Sequence, residues 1–211
     1  MGQRGTSVTK EWPCMHRSSD SESSMKKPTS IELRNRVYEI IKEKSFRRGP
    51  VTLSSGKKSD FYFDMKPTML DPEGATKLAQ LVLFRLEGTP VERVGGLELG
   101  AVPLITPIGL QSFLQGPRPI PGFLVRKKVK EHGTQRKIEG EDISGKNVVI
   151  LEDVTTTGDS AMVAVRAAQD AGAKVLLVLT IVDREDGAEQ TFAEAGIPFL
   201  KLFSASEFLS A

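Results

Sequence analysis

Val148-Val-Ile-Leu-Glu152-Asp153-Val-Thr155-Thr156-Thr157-Gly158-Asp159-Ser160 is the stretch that decides how this chain folds. Its unbroken aliphatic start reads as a strand over 147–151, buried on both faces as in a parallel sheet. The strand is expected to stop at the two carboxylates. A Thr/Gly loop then leads into a helix over 160–171, which Gly172 closes. Backbone N–H groups at that helix start, with the threonine hydroxyls, make a cradle for phosphate. The adjacent acids can accept hydrogen bonds from sugar hydroxyls or hold a hydrated Mg²⁺. The Walker pattern G-x-x-x-x-G-K-[ST] is absent.

Working outward, the same alternation repeats. Residues 175–182 are nearly all branched aliphatic and end in Asp183-Arg184-Glu185, and 198–203 reads as a last strand. Upstream, a strand at 91–94 runs into Gly95-Gly96-Leu-Glu98-Leu-Gly100, a helix covers 102–113, and a short strand at 123–125 ends in Arg126-Lys127-Lys128. Alternating strands and helices predict an α/β chain with an open, mostly parallel sheet flanked by helices. In such sheets ligands bind outside the carboxyl ends of the strands, and four of these strand ends are polar or glycine-rich. Nearer the N-terminus, Thr29 and Glu32 form a T-x-x-E capping box ahead of the apolar face Leu33, Val37, Ile40 and Ile41. A hairpin or two short strands follow, 51–53 and 61–63 around a polar turn. Asp71-Pro72-Glu73 then starts a helix reaching about Leu86.

Composition bounds the rest. The 211 residues fit one domain over 29–211 and a tail over 1–28. The tail is polar, aperiodic and expected to be disordered, and it holds Trp12, Cys14 and His16. Lys+Arg 29 against Asp+Glu 27 is too balanced to advertise nucleic acid or an anionic membrane. One cysteine rules out an intramolecular disulfide and a multi-cysteine zinc site. No run approaches about 18 apolar residues, and residues 1–28 lack a signal-peptide core. The expectation is a cytoplasmic protein with no membrane partner.

A second functional segment is Arg126-Lys127-Lys128-Val-Lys130-Glu131-His132-Gly133-Thr134. It is a cationic loop with one titratable imidazole, suited to a pyrophosphate leaving group that gains charge as its bond breaks. It lacks the interleaved aromatics of a nucleic-acid patch.

The strand, the two acids and the T-T-G-x-S loop resemble the phosphoribosyl-diphosphate signature of the type I phosphoribosyltransferases. With the basic loop, the chain resembles the orotate phosphoribosyltransferase family. Arg126, Lys127, Lys130, His132 and Gly133 match the family's R-K-x-x-K-x-H-G. Ser55-Gly56-Lys57-Lys58-Ser59, then Phe61-Tyr62-Phe63-Asp64, match its S-G-[KR]-x-S turn and aromatics, and Asp183-Arg184 matches its strand-end arginine. The resemblance covers about residues 29–203. Three positions depart from some members: Ser54 replaces a lysine, Glu98-Leu99 replace Tyr-Lys, and Asp159 replaces a small residue. The lysine and Tyr-Lys contacts are therefore not carried over.

The resemblance implies the type I fold with a small N-terminal hood. It implies transfer of ribose 5-phosphate from phosphoribosyl diphosphate to orotate, giving orotidine 5′-phosphate and pyrophosphate in pyrimidine biosynthesis. Lys130, His132 and Asp153 would be catalytic. Arg126, Lys127, Lys130 and His132 would meet the diphosphate, Glu152 and Asp153 the ribose hydroxyls, and Val154, Thr155, Thr156, Thr157, Gly158, Asp159 and Ser160 the 5-phosphate. Arg184 and Thr156 would bind orotate under cover of Tyr62 and Phe63, with Lys66 as a further candidate. Mg²⁺ would be held by the diphosphate rather than by direct protein ligands, with water bridges to Glu152 and Asp153 left open. A homodimer would share the 126–134 loop across its interface. Two alternatives differ in predictable ways. A purine phosphoribosyltransferase would share the cradle but lack the basic loop and the Ser55–Ser59 turn. A non-catalytic regulator binding phosphoribosyl diphosphate would have no reason to keep Lys130 and His132.

Overall fold

Thr29 begins the first helix as a capping residue. Its hydroxyl accepts the Glu32 backbone N–H at 3.2 Å, and the Glu32 carboxylate accepts the Thr29 N–H at 2.8 Å. In the computed structural model, which describes residues 29–52, 58–127 and 137–210, this helix is α1 (Ser30–Lys44), burying Leu33, Val37, Ile40 and Ile41. The expectations placed on residues 1–28, on Ser54, Ser55, Gly56 and Lys57, and on Lys130, His132 and the rest of the loop through Thr134 lie outside the described residues.

β1 (Phe46–Thr52) and β2 (Lys58–Phe63) pair antiparallel with Phe46 opposite Phe63, making the expected hairpin but starting it earlier. A single turn, α2 (Lys66–Met69), leads to α3 (Pro72–Arg85), whose N-cap Asp71 accepts the Gly74 N–H. Then come β3 (Arg93–Leu97), α4 (Val102–Gln115), β4 (Gly122–Val125), β5 (Ile138–Gly140), β6 (Asn147–Thr155) and α5 (Asp159–Asp170). β7 (Lys174–Asp183), α6 (Ala188–Glu194), β8 (Phe199–Ser204) and α7 (Ala205–Leu209) complete the order.

Six strands form one sheet in the order β5-β4-β3-β6-β7-β8, parallel except for β5 at the edge. Alternate residues of β6 serve opposite faces. Val149 and Leu151 join a core with Val37, Leu78 and Leu104 from α1, α3 and α4, whereas Val148 and Ile150 join one with Ala164 and Phe192 from α5 and α6. After β3 the chain moves outward to β4, then returns to the other side of β3 as β6. The order therefore reverses between β3 and β6, and a ligand crevice is expected outside their carboxyl ends.

Two strand boundaries correct the sequence reading. β3 begins at Arg93 and includes Gly95 and Gly96, which had looked like the loop after it. These glycines are strand residues because space demands it. A Cβ on Gly95 would meet the Phe123 ring at 2.5 Å, and one on Gly96 the Leu151 carbonyl at 2.3 Å. β6 does not stop at the carboxylates but runs on to Thr155, since β7 keeps pairing with it: Glu152 opposes Thr180 and Thr155 opposes Asp183. The short elements α2, β5, α6 and α7 carry too few residues for a periodic signal and were not anticipated.

Candidate active site

The carboxyl ends of β3, β4, β6 and β7 place their polar residues at one end of the sheet. From the end of β6 onward, Thr155 to Ser160 wrap a cleft of about 290 Å³ that Glu152 and Val154 also line. Gly158 has φ of 90°, and a Cβ there would touch the Phe192 ring at 3.0 Å, so both conformation and space call for glycine before α5. Thr156, Thr157, Asp159 and Ser160 are exposed, while Thr155 is buried. Asp159 accepts the Thr157 hydroxyl at 2.8 Å, so the departing acid is tied into the loop rather than pointing away from it. A roomier cleft among the described residues, about 790 Å³, lies elsewhere, lined by the segment before β3 and the residues after α4.

Buried polar atoms without a protein partner mark where a ligand would satisfy the chain. Such atoms among the described residues include Oε2 of Glu152, Oγ1 of Thr155 and Nε of Arg126, all in this region. Burial, the neighbouring Asp153 charge and a shared hydrogen bond push the Glu152 carboxyl up to about 8, with Lys127 opposing. Burial also raises Asp153, while the hydrogen bond from Glu152 and the Val154 N–H hold it down. The pair therefore keeps a proton on Glu152 and titrates as a unit. Gly100 makes room for it, because a Cβ there would sit 2.7 Å from the Asp153 carboxylate.

At the end of β4, the Arg126 N–H donates to the Lys137 carbonyl and its guanidinium lies 3.4 Å from Glu139. The next N–H, of Lys127, donates to the Glu98 carboxylate at 2.8 Å. Glu98, which replaces a tyrosine of some resembling proteins, thus anchors the stem of the basic loop. The Glu98–Leu99 peptide is cis.

Arg184 is buried at the end of β7, and its N–H donates to the Thr155 carbonyl at 2.8 Å. Its guanidinium lies 4.4 Å over the Phe61 ring, donates from Nη2 to Ser59 at 3.2 Å and from Nε to Asp186 at 3.1 Å. Hood and sheet thus meet at this side chain.

The aromatic expectation needs correcting. Phe63 is buried in the hood core against Phe46 and Phe208 and offers no face to a ligand, while Tyr62 is exposed on the opposite side of β2. The ring beside Arg184 is Phe61. Strand alternation puts Phe61 and Phe63 on one face, and the one nearer the hairpin tip reaches the sheet. Lys66 pairs with Asp64 at 2.6 Å, and its positive charge is also felt by Asp153. Ser59, Phe61, Glu98, Gly100 and Asp186 were not assigned site roles in advance. Ser59 and Phe61 belong to the turn-and-aromatic pattern, Asp186 follows Arg184 closely, and Glu98 and Gly100 lie in the glycine-rich strand end, but no local signal gives Glu98 or Gly100 its partner.

No protein-family profile matches the chain. It is 57% identical over 182 residues to the orotate phosphoribosyltransferase of Bradyrhizobium diazoefficiens, covering 84% of this chain and 97% of that protein. In structure it is similar to Mycobacterium tuberculosis orotate phosphoribosyltransferase in its Fe(III) dicitrate complex, with a TM-score of 0.73 and 37% identity over 83% of this chain and 98% of the other. The complex of the M. tuberculosis enzyme with 5-phospho-α-D-ribosyl 1-diphosphate gives a TM-score of 0.69 at 32% identity, again over 83% and 98%.

Proposed function

The chain belongs to the orotate phosphoribosyltransferase family, and from that premise we propose how its residues divide the work. The reaction joins the ring nitrogen of orotate to the anomeric carbon of phosphoribosyl diphosphate as the bond to pyrophosphate breaks, a pentosyl transfer in pyrimidine biosynthesis. One observation carries the assignment of subsites. Thr155 and Asp183 oppose each other in register, and the Arg184 N–H bonds the Thr155 carbonyl, so a phosphate cradle and a carboxylate-binding arginine stand on adjacent strand ends.

Orotate is already an anion, so binding and orientation of the nucleophile matter more than a strong base. Arg184, braced by Ser59 and Phe61, takes the orotate carboxylate with Thr156 nearby, and Phe61 replaces Phe63 as the aromatic neighbour. Thr155 to Ser160 hold the 5-phosphate, and the Thr155 hydroxyl without a partner finds one there. Glu152 and Asp153 accept the ribose hydroxyls and face the positive charge that develops on the sugar. Arg126, Lys127, Lys130 and His132 meet the departing pyrophosphate, with His132 hydrogen-bonding or protonating it. Two adjacent carboxyl groups, one with an oxygen lacking a partner, suit the outer water shell of Mg²⁺ bound to the diphosphate. When bound, that ion supplies positive charge against the leaving group.

A homodimer is supported by α4, which leaves Leu110, Phe113 and Leu114 exposed at helical spacing along one face. A second copy covers this face and shares its 126–134 loop. No helix among the described residues is long and apolar enough to cross a membrane. The direct test follows orotate's near-ultraviolet absorbance with purified protein, Mg²⁺ and phosphoribosyl diphosphate. Loss of absorbance that requires both additions is expected. An unchanged spectrum from protein that still binds phosphoribosyl diphosphate would return the choice to a purine base or a regulator.

A further inference from the structure

Arg184 owes its position to a turn that no ligand-contacting residue makes. The residue after it, Glu185, has φ of 64°, a left-handed conformation uncommon for a side chain with a Cβ. The turn is held from two sides. The Glu185 N–H donates to Oδ1 of Asp183 at 2.9 Å, and the Glu185 carboxylate accepts the Ser206 N–H in α7 at 2.9 Å. Asp183 is thus the acceptor on which the turn depends, and its side chain is only 2% exposed.

A carboxylate buried that deeply needs a cation as well as a backbone N–H. Lys201 supplies it. Its ammonium donates to the second oxygen, Oδ2, at 3.1 Å, and also to the largely exposed Glu189 at 2.7 Å. Lys201 lies on β8, the edge strand, opposite Thr180 of β7. It touches neither the cradle nor Arg184. The path from it to the guanidinium is short and continuous: Lys201 to Asp183, Asp183 to the Glu185 N–H, and Glu185's turn to the residue before it.

We propose that Lys201 is a positioning residue for orotate recognition: through Asp183 and the left-handed turn at Glu185, it sets where the Arg184 guanidinium rests against Phe61 and Ser59. This rests on the reading of Arg184 as the group that pairs with the orotate carboxylate. Without the ammonium, the buried Asp183 carboxylate loses its cation and rotates toward water. That weakens its hold on the Glu185 N–H, releases the turn and misplaces Arg184. The 5-phosphate cradle meets this path at the Thr155 backbone, whose carbonyl accepts the Arg184 N–H, while its loop is held within itself by the Thr157 hydroxyl on Asp159.

Steady-state kinetics on the full chain test it. Lys201→Met should raise KM for orotate about tenfold, roughly the loss of one charge-assisted contact, and leave KM for phosphoribosyl diphosphate unchanged. Lys201→Arg should restore the orotate KM. Asp183→Asn keeps an oxygen for the Glu185 N–H without a buried charge, so adding Lys201→Met in that background should cost nothing further. Four results would overturn the proposal: an unchanged orotate KM in Lys201→Met, both KM values rising together, an equal penalty with and without Asp183→Asn, or a single variant that fails to fold while Lys201→Arg and the double variant fold. The last would make the lysine a neutralising group for stability alone. Absence of any orotate turnover in the wild type is a separate result, and it removes the reading of Arg184 on which this rests.

Discussion

Single residues in the cleft carry the clearest consequences of environment. Glu152 holds its proton up to about pH 8 because the folded chain buries it beside Asp153, whereas its ordinary value is 4.5. Between those values the native state binds a proton that the unfolded chain has released, so stability falls as pH rises through that window. The ligand-free protein should therefore melt at lower temperature at pH 8.5 than at pH 5.5 on account of this group, and Glu152→Gln should flatten that slope in a thermal scan. A slope identical in the variant would show that the group is already ionised. Asp159 makes a different point. Its carboxylate accepts the Thr157 hydroxyl in the first turn of α5, where an incoming phosphate would also sit. Asp159→Asn removes a like charge from a helix terminus, an effect of about 0.3–1 kcal/mol. KM for phosphoribosyl diphosphate should drop roughly twofold to fivefold on that scale, and a rise would mean that the acid orders the loop. Neither effect follows from residue type alone: Glu152 and Asp159 are both acids in one motif, and burial beside Asp153 sets Glu152 apart.

At the scale of elements, the hood depends on the last helix. Phe208 of α7 is fully buried, with its ring 5.6 Å from Phe46 and 5.2 Å from Phe63, while Arg48 of β1 donates to the carbonyls of Phe208 and Leu209. Phe208→Ala should cost about 3–5 kcal/mol in denaturant unfolding. Because the same hairpin carries Ser59 and Phe61, orotate binding should weaken more than binding of phosphoribosyl diphosphate, which titration calorimetry would separate. Equal losses would mean that the hood does not serve one substrate in particular. α7 was invisible in the sequence because its five residues carry no usable period. α1 and α3 were legible because Thr29–Glu32 and Asp71-Pro72 are complete local start signals. The glycines of β3 misled for a physical reason: Gly normally weakens a strand, and only the Phe123 ring and the Leu151 backbone pressing on it explain why it is required there.

For the whole molecule, the prediction concerns assembly. Leu110, Phe113 and Leu114 share one exposed helical face, and a covering copy is the simplest way to remove it from water. If the proposed dimer forms, Phe113→Glu should shift the protein from dimer to monomer in sedimentation analysis and lower turnover, since each cleft of that dimer borrows its partner's loop. A monomeric variant with full turnover would separate assembly from catalysis. Contiguous residues were enough for the parallel α/β class, for the Thr/Gly loop that enters a helix after β6 and for the arginine at a strand end, because periodicity and local hydrogen bonding need no distant partner. Packing alone puts the acids of β6 inside the strand, Phe61 rather than Phe63 against Arg184, and Lys201 on Asp183. Those contacts join groups far apart in the chain, as Ser59 and Arg184 are by 125 positions. They depend on how whole elements pack against one another, which no local pattern encodes.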